Sequence, residues 1–328
     1  MESTEARGQV MSNGGGDRVW VVFHMLLRQA LDRTIWKDDR SNMQYIAPNS
    51  LEDAVQVLSE IPDAKVLAGG TDLLVRMRSD MMHPETVLDI KRISALRSIS
   101  AESGGWRIGA SVSAAEMGEH AALIADWPGV VEAANLIGST QIQGRCTIAG
   151  NLCNASPAAD SVPAMMAAGA VVRLAGPAGQ RDVPVQDIPV GPGKTSLGKG
   201  EFVASIFLPA RAARSGDAYL RFIPRSEMDI AVVGCAVALT LDEAGLCTAA
   251  RVSLGAVAPT VLLVEDAAQT LIGTPVDEAA LGALAKAASA AAKPISDKRG
   301  TVEFRVHVAG VLARRAATIA KTRAGGAA

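Results

Sequence analysis

AKVLAGGTDLLVRM, residues 64–77, and TIAGNLCNASPAADSVPA, residues 147–164, decide the fold and the site together. Each passes from a small apolar stretch into adjacent small residues, then a hydroxyl or amide side chain, then a predicted helix. Glycine has no Cβ, so its backbone can take positive φ and lie close to a ligand. The helix that follows adds unbonded N–H groups and partial positive charge, both suited to phosphate. Alone, Gly69-Gly70 reads as an ordinary turn. Paired with the second segment, it reads as one of two walls of a site for a phosphate-bearing cofactor.

Around these segments the chain is mixed. Ser50-Leu-Glu-Asp53 has the form of a capping box, and Leu51, Ala54, Val55 and Leu58 share one apolar helical face. Pro62-Asp63 ends that helix, and Lys65–Ala68 is a short buried strand running into Gly69-Gly70. Thr86–Ile90 and Trp106–Ile108 read as strands, Ser113-Ala-Ala-Glu116 as a second capping box, and Pro128–Ile137 as a helix. SVPAMMAAG, residues 161–169, continues as a helix and AVVRLAG, residues 170–176, as a strand. The regular alternation of a doubly wound sheet is missing, so the class is α+β.

VGPGKTSLGKG, residues 190–200, reads as a surface loop. It contains GPGKTS, but the GxxxxGK(S/T) spacing of a phosphate loop fails upstream, and no helical pattern follows Ser196. Beyond it come four long strands, Glu201–Leu208, Ala218–Ile223, Ile230–Leu241 and Thr248–Val257, with Asp242-Glu-Ala-Gly245 as a hairpin turn. Helices over Asp266–Ile272, Asp277–Ala291 and Gly300–Arg323 close the chain. The last sets Phe304, Val308, Val311, Leu312 and Ile319 at helical spacing, leaving Arg314, Arg315, Lys321 and Arg323 as a solvated basic face.

The bulk properties narrow the function. The 328 residues are enough for two or three domains, and an apolar fraction of 49% fits a globular protein. A net charge of −2 offers no basic field, so nucleic acid is not an expected partner. Aromatic residues make up only 3%, which leaves few stacking platforms and a core of Ala, Val, Leu and Ile. Cys146, Cys153, Cys235 and Cys247 form no CxxC pair, and His24, His83, His120 and His307 are scattered. These spacings do not make an iron–sulfur or zinc site, and the cysteines read as free thiols of a reducing, cytoplasmic compartment. Residues 1–42 read as a poorly ordered extension, with the domain beginning at Met43. The apolar run Val19–Leu27 is too short for an integral membrane segment and lacks the flanks of a signal peptide.

With these residues in view, the chain resembles the FAD-binding medium subunit of the molybdenum hydroxylases, the carbon monoxide dehydrogenase and xanthine dehydrogenase family. The resemblance spans Tyr45 to Arg323 and rests on four motifs in the same order: AGGTDLL (68–74), TIAGNLCNASPAAD (147–160), RSEMDIAVVG (225–234) and SDKRGTVEFR (296–305). It implies a two-subdomain PCMH-type FAD-binding domain over residues 43–215, then a C-terminal antiparallel β-sheet with helices over 216–324. It implies FAD as the cofactor and oxidoreductase chemistry. A large molybdopterin-binding subunit and a small 2Fe–2S subunit are the implied partners, with NAD or a quinone as acceptor. The cysteine spacing does not support the iron–sulfur insert of the 4-hydroxybenzoyl-CoA reductase subtype.

Carried over residue by residue, the resemblance makes Val66, Leu67, Ala68, Gly69, Gly70, Thr71, Asp72 and Leu73 cofactor-binding positions. It does the same for Thr147, Ile148, Ala149, Gly150, Asn151 and Asp160, the last toward ribityl or ribose hydroxyls. The residue chemistry agrees. No lysine stands inside either turn, so the diphosphate must be met by the N–H groups of Ala68–Thr71 and Ala149–Asn151, with the Thr71 and Thr147 hydroxyls. Asp72 is placed to cap the helix LLVRMR, and Asn151 can both donate and accept. Ile137 and Val203 match apolar contact positions and equally suit core packing. Arg221 stands either near the flavin or as an exposed strand cation. Ile230 occupies the place of an aromatic that covers the ring in carbon monoxide dehydrogenases, and Met228-Asp229 reads as the end of a hairpin. Two rivals stand beside this reading: a stand-alone flavin oxidoreductase of the same fold, and a scaffold without flavin.

Overall fold

Ser50 starts a helix as its sequence demands: its Oγ accepts the Asp53 N–H at 3.1 Å, and Leu51–Glu60 buries Ala54 and Leu58. The reciprocal bond from Asp53 does not form, because Asp is one methylene shorter than the Glu of a full box. At Ser113 the box is complete, with Glu116 Oε2 accepting the Ser113 N–H at 2.8 Å and Ser113 Oγ accepting the Glu116 N–H at 3.2 Å. The computed structural model describes residues 43–325, so the extension over 1–42 and its apolar run lie outside the described residues. From Gln44 onward the chain forms one compact unit.

The architecture is α+β. Gln44–Ile46, Thr86–Asp89 and Lys65–Leu67 make a small parallel sheet with Thr86–Asp89 in the middle. A five-stranded antiparallel sheet runs in the order Ile99–Glu102, Gly105–Gly109, Phe202–Leu208, Val171–Gly176, Gly179–Pro184. Short helices between Ala114 and Ala167 pack with both sheets in one apolar cluster. The C-terminal region is a four-stranded antiparallel sheet of Ser215–Phe222, Val233–Leu241, Cys247–Gly255 and Leu262–Leu263, backed by Glu278–Ala291 and Val302–Arg323. Small residues set the closeness of that packing. A Cβ on Gly216 would lie 1.9 Å from the Ala320 carbonyl oxygen of the last helix.

Two further expectations needed revision. Pro189–Gly191 and Lys194–Thr195 pair as a hairpin inside the stretch read as a loop, with Gly193 at φ +68° in its turn. GPGK, residues 191–194, is therefore the turn of this hairpin, and Thr195 belongs to its second strand. The helix read as Pro128–Ile137 stops at Ala134, where Leu136 and Ile137 shift to bonds three residues back and Gly138 turns at φ +69°.

Asp217 joins the two regions from within. It is 4% exposed, accepts Arg211 Nη1 at 3.0 Å, and lies beside the Gly129 N–H of the helix Pro128–Ala134. Arg323 Nη1 donates to the Asp217 carbonyl at 2.8 Å and to Glu132 at 3.0 Å. Burial nevertheless outweighs Arg211 and Arg323 and pushes the Asp217 carboxyl up to about 6. The folded state thus favours the protonated acid. That contribution is fully present below the unfolded value and is lost as pH rises through about 6. Stability of the parent relative to Asp217→Asn should fall by about 2 kcal/mol between about pH 4 and pH 7. Paired urea melts across that range check this; parallel pH curves for the two proteins would sink it.

Candidate functional site

The strand Lys65–Leu67 delivers the chain into Ala68-Gly69-Gly70-Thr71, and the helix Leu73–Arg78 follows. Gly70 sits at φ +79°, a left-handed backbone that favours glycine; a Cβ there would also meet Leu67 Cδ1 at 2.8 Å, at the movable end of a side chain. Gly69 is held more tightly. A Cβ would fall 2.0 Å from the Arg145 carbonyl oxygen and 3.1 Å from Cys146 Cα. The first turn is therefore pressed directly on the backbone that leads into the second segment. Lys91 Nζ braces the turn from behind, donating to the Ala68 carbonyl at 3.0 Å while paired with Asp89 at 2.8 Å. The N–H groups of Gly69, Gly70 and Thr71 donate to no acceptor among the described residues.

The expected cap at Asp72 does not form. Its backbone is helical (φ −106°, ψ −53°) instead of the extended form an N-cap side chain needs, and its carboxylate sits 3.8 Å from Arg76. Thr147 does cap: it is extended, and its Oγ1 accepts the Gly150 N–H at 2.9 Å. This changes the donor set. The Gly150 N–H is taken by that cap, and the Asn151 N–H by the Thr147 carbonyl at 3.0 Å. Of the three N–H groups expected to face phosphate, only that of Ala149 has no acceptor among the described residues, because a helical turn uses its own donors once its first residues are passed.

Asn151 is committed on one side. Its Oδ1 accepts the Ser161 N–H at 3.1 Å and the Ser161 hydroxyl at 2.7 Å. Asp160 is buried and occupied. Its Oδ1 accepts the Tyr219 hydroxyl at 3.1 Å and its Oδ2 accepts Arg221 Nη1 at 2.7 Å. Burial raises the Asp160 carboxyl above its ordinary value against the pull of Arg221 and Tyr219, and burial raises the Tyr219 hydroxyl as well. Arg221 is not the exposed strand cation of one sequence reading; its side chain is 6% exposed inside this pair.

These elements enclose a cavity of about 500 Å³, within the range of small-molecule and cofactor sites. Its wall gathers Val66, Ala68, Gly69, Gly70, Thr71, Asp72 and Leu73 with Thr147, Ala149, Gly150 and Asn151, and adds Ile137 and Val203. Leu67 and Ile148 are buried in the core beside it, and Asp160 and Arg221 stand off the wall. Sequence reading missed two cations in the wall, Lys65 and Arg76. Arg76 had a signal: it lies three residues after Leu73 on one helix face. Also missed was Met228, which reaches the wall from the loop between Ser215–Phe222 and Val233–Leu241, at φ +52°. Ile230 is half-exposed and not part of the wall. Cys146 and Cys153 line it as thiols that burial pushes up to about 11 and about 12, so neither is a thiolate at neutral pH.

The arrangement fits a dinucleotide. Unbonded turn N–H groups and two cations suit a diphosphate, and Val66, Ile137, Phe202 and Val203 offer apolar wall to rings. Fold and cavity together define a two-region protein with a site for a dinucleotide cofactor. The sequence matches the FAD binding domain in molybdopterin dehydrogenase over residues 41–211 and the CO dehydrogenase flavoprotein C-terminal domain over residues 218–320. The chain belongs to the family of FAD-binding subunits of molybdopterin dehydrogenases, and it is an oxidoreductase subunit whose cofactor is FAD. It is 36% identical to the carbon monoxide dehydrogenase medium chain of Afipia carboxidovorans over 284 residues, covering 86% of this chain and 98% of that one. It is 33% identical to the xanthine dehydrogenase FAD-binding subunit of Escherichia coli O157:H7 over 284 residues, with 86% and 97% covered. The solved cyanide-inactivated Cu,Mo-CO dehydrogenase superposes with a TM-score of 0.82 at 35% identity, covering 86% of this chain and 98% of that chain.

Proposed function

We propose that the chain is the electron outlet of a molybdopterin-dependent hydroxylase: it takes electrons from a 2Fe–2S subunit and passes them to NAD or a quinone-type acceptor. In this reading a large molybdopterin-binding subunit handles the organic substrate, and the three subunits form a cytoplasmic assembly that dimerises. When bound, FAD supplies the exchange between one-electron and two-electron transfer. The residues of this chain hold and orient it. Gly69, Gly70 and Thr71 present N–H groups to the diphosphate, and Lys65 and Arg76 add positive charge. Val66, Ile137 and Val203 keep water from the apolar side. The domain division at 215/216 belongs to the same proposal.

One observation carries the reading: two segments distant in sequence meet backbone to backbone at Gly69 and Arg145 and form one wall. The test is purification from the native host, with subunit identification, metal analysis and acceptor assays. The expected product is a yellow complex absorbing near about 450 nm, containing molybdenum and iron, and reducing NAD or a quinone. An active flavoprotein recovered without those partners would overturn the proposal in favour of a stand-alone oxidoreductase.

A further inference from the structure

Asn151 has an amide whose two ends differ chemically, and the fold leaves no choice about which end faces the cavity. The Ser161 backbone N–H can only donate, so the atom 3.1 Å from it must be the amide oxygen. The Ser161 hydroxyl donates to the same oxygen at 2.7 Å. The Asn151 Nδ2 has no acceptor among the described residues, yet it is not sealed in the interior, and Asn151 lines the cavity. Ser161 itself is 0% exposed and stands off the wall.

We infer that Ser161 is a positioning residue that locks the Asn151 amide with its NH2 group toward the cavity, making this part of the wall a hydrogen-bond donor and never an acceptor. The inference rests on the FAD reading and adds a polarity to it. The ligand atoms met here are acceptors, such as diphosphate or carbonyl oxygens, and a hydroxyl there must present its lone pair. Ser161 follows Asp160 directly, and Tyr219 and Arg221 hold Asp160 from the C-terminal sheet. The donor is thus steadied from both regions of the chain.

The test is FAD titration of stripped full-length protein, followed by flavin fluorescence, with thermal melts as a fold check. Asn151→Asp is isosteric and still accepts both Ser161 bonds, but it turns a carboxylate oxygen to the cavity. It should bind FAD about 100-fold more weakly near neutral pH, which is about 2.7 kcal/mol. Affinity should recover as pH falls and the carboxyl becomes a donor. Ser161→Ala should weaken binding about threefold to tenfold in the parent, but have no effect in an Asn151→Ala background, because the two act through one contact. A purely structural asparagine predicts parental affinity for Asn151→Asp at every pH, and that result overturns the inference. So does an undiminished Ser161→Ala effect in the Asn151→Ala background, a result that still holds if Asn151→Asp does not fold. A parent protein that takes up no FAD would overturn the underlying reading and this inference together.

Discussion

Gly69→Ala should sharply weaken flavin retention. The new Cβ would lie 2.0 Å from a backbone carbonyl oxygen, so no side-chain rotation can relieve the overlap. Overpacking that side chains can absorb costs about 1–3 kcal/mol; separating two backbone segments exceeds that. The turn must then leave Arg145, and the two walls no longer share a cavity. We expect FAD affinity at least about tenfold lower, together with a lowered melting temperature. Gly144→Ala is the control in the same region, since its Cβ meets nothing within 4 Å and its φ is −67°. Equal flavin content in the two variants would refute the contact between walls.

Arg305→Met should cost about 2–3 kcal/mol of stability while leaving the flavin content of the folded fraction unchanged. Arg305 is 4% exposed in the SDKRGTVEFR motif. Its Nη1 donates to the Val232 carbonyl at 2.6 Å and the Ala256 carbonyl at 3.3 Å, and its Nη2 donates to Asp297 at 2.7 Å. Methionine fills much of the volume but leaves the Val232 and Ala256 carbonyls without their donor, while Asp297 keeps the Arg299 N–H at 2.8 Å and its pairing with the Arg299 guanidinium at 3.5 Å. Arg305→Lys should recover only part of the loss, because an ammonium lacks the fork that spans these acceptors. Urea unfolding measures both. A loss below about 1 kcal/mol would mean the network is no stronger than a surface pair.

The glycine segments could be read from sequence because their pattern is local, small residues and then a helix, although the contact that requires Gly69 is with Arg145, far away in the chain. The same held for the Ser113 box and the Asp242–Gly245 turn, where neighbouring residues satisfy one another. What stayed hidden depended on partners distant in sequence. Nothing near Asp160 tells of Tyr219 and Arg221, and nothing near Asn151 tells that Ser161 will take its oxygen. Asp72 misled for the opposite reason. Its residue type suits a cap, but the tight turn after Gly70 sets a helical backbone that the side chain cannot use. Met228 was missed because a hairpin loop of the C-terminal sheet reaches the cavity through tertiary packing alone.

Tyr219, Ala236 and Val261, all from the C-terminal region, are buried in the same apolar cluster as the flavin-side helices. Heat should therefore not peel one region from the other. Each lends the other part of its interior, so a calorimeter should record one transition, and added FAD should move all of it. The seam between the two family matches, near residues 211–218, is thus not a seam along which the folded molecule should come apart.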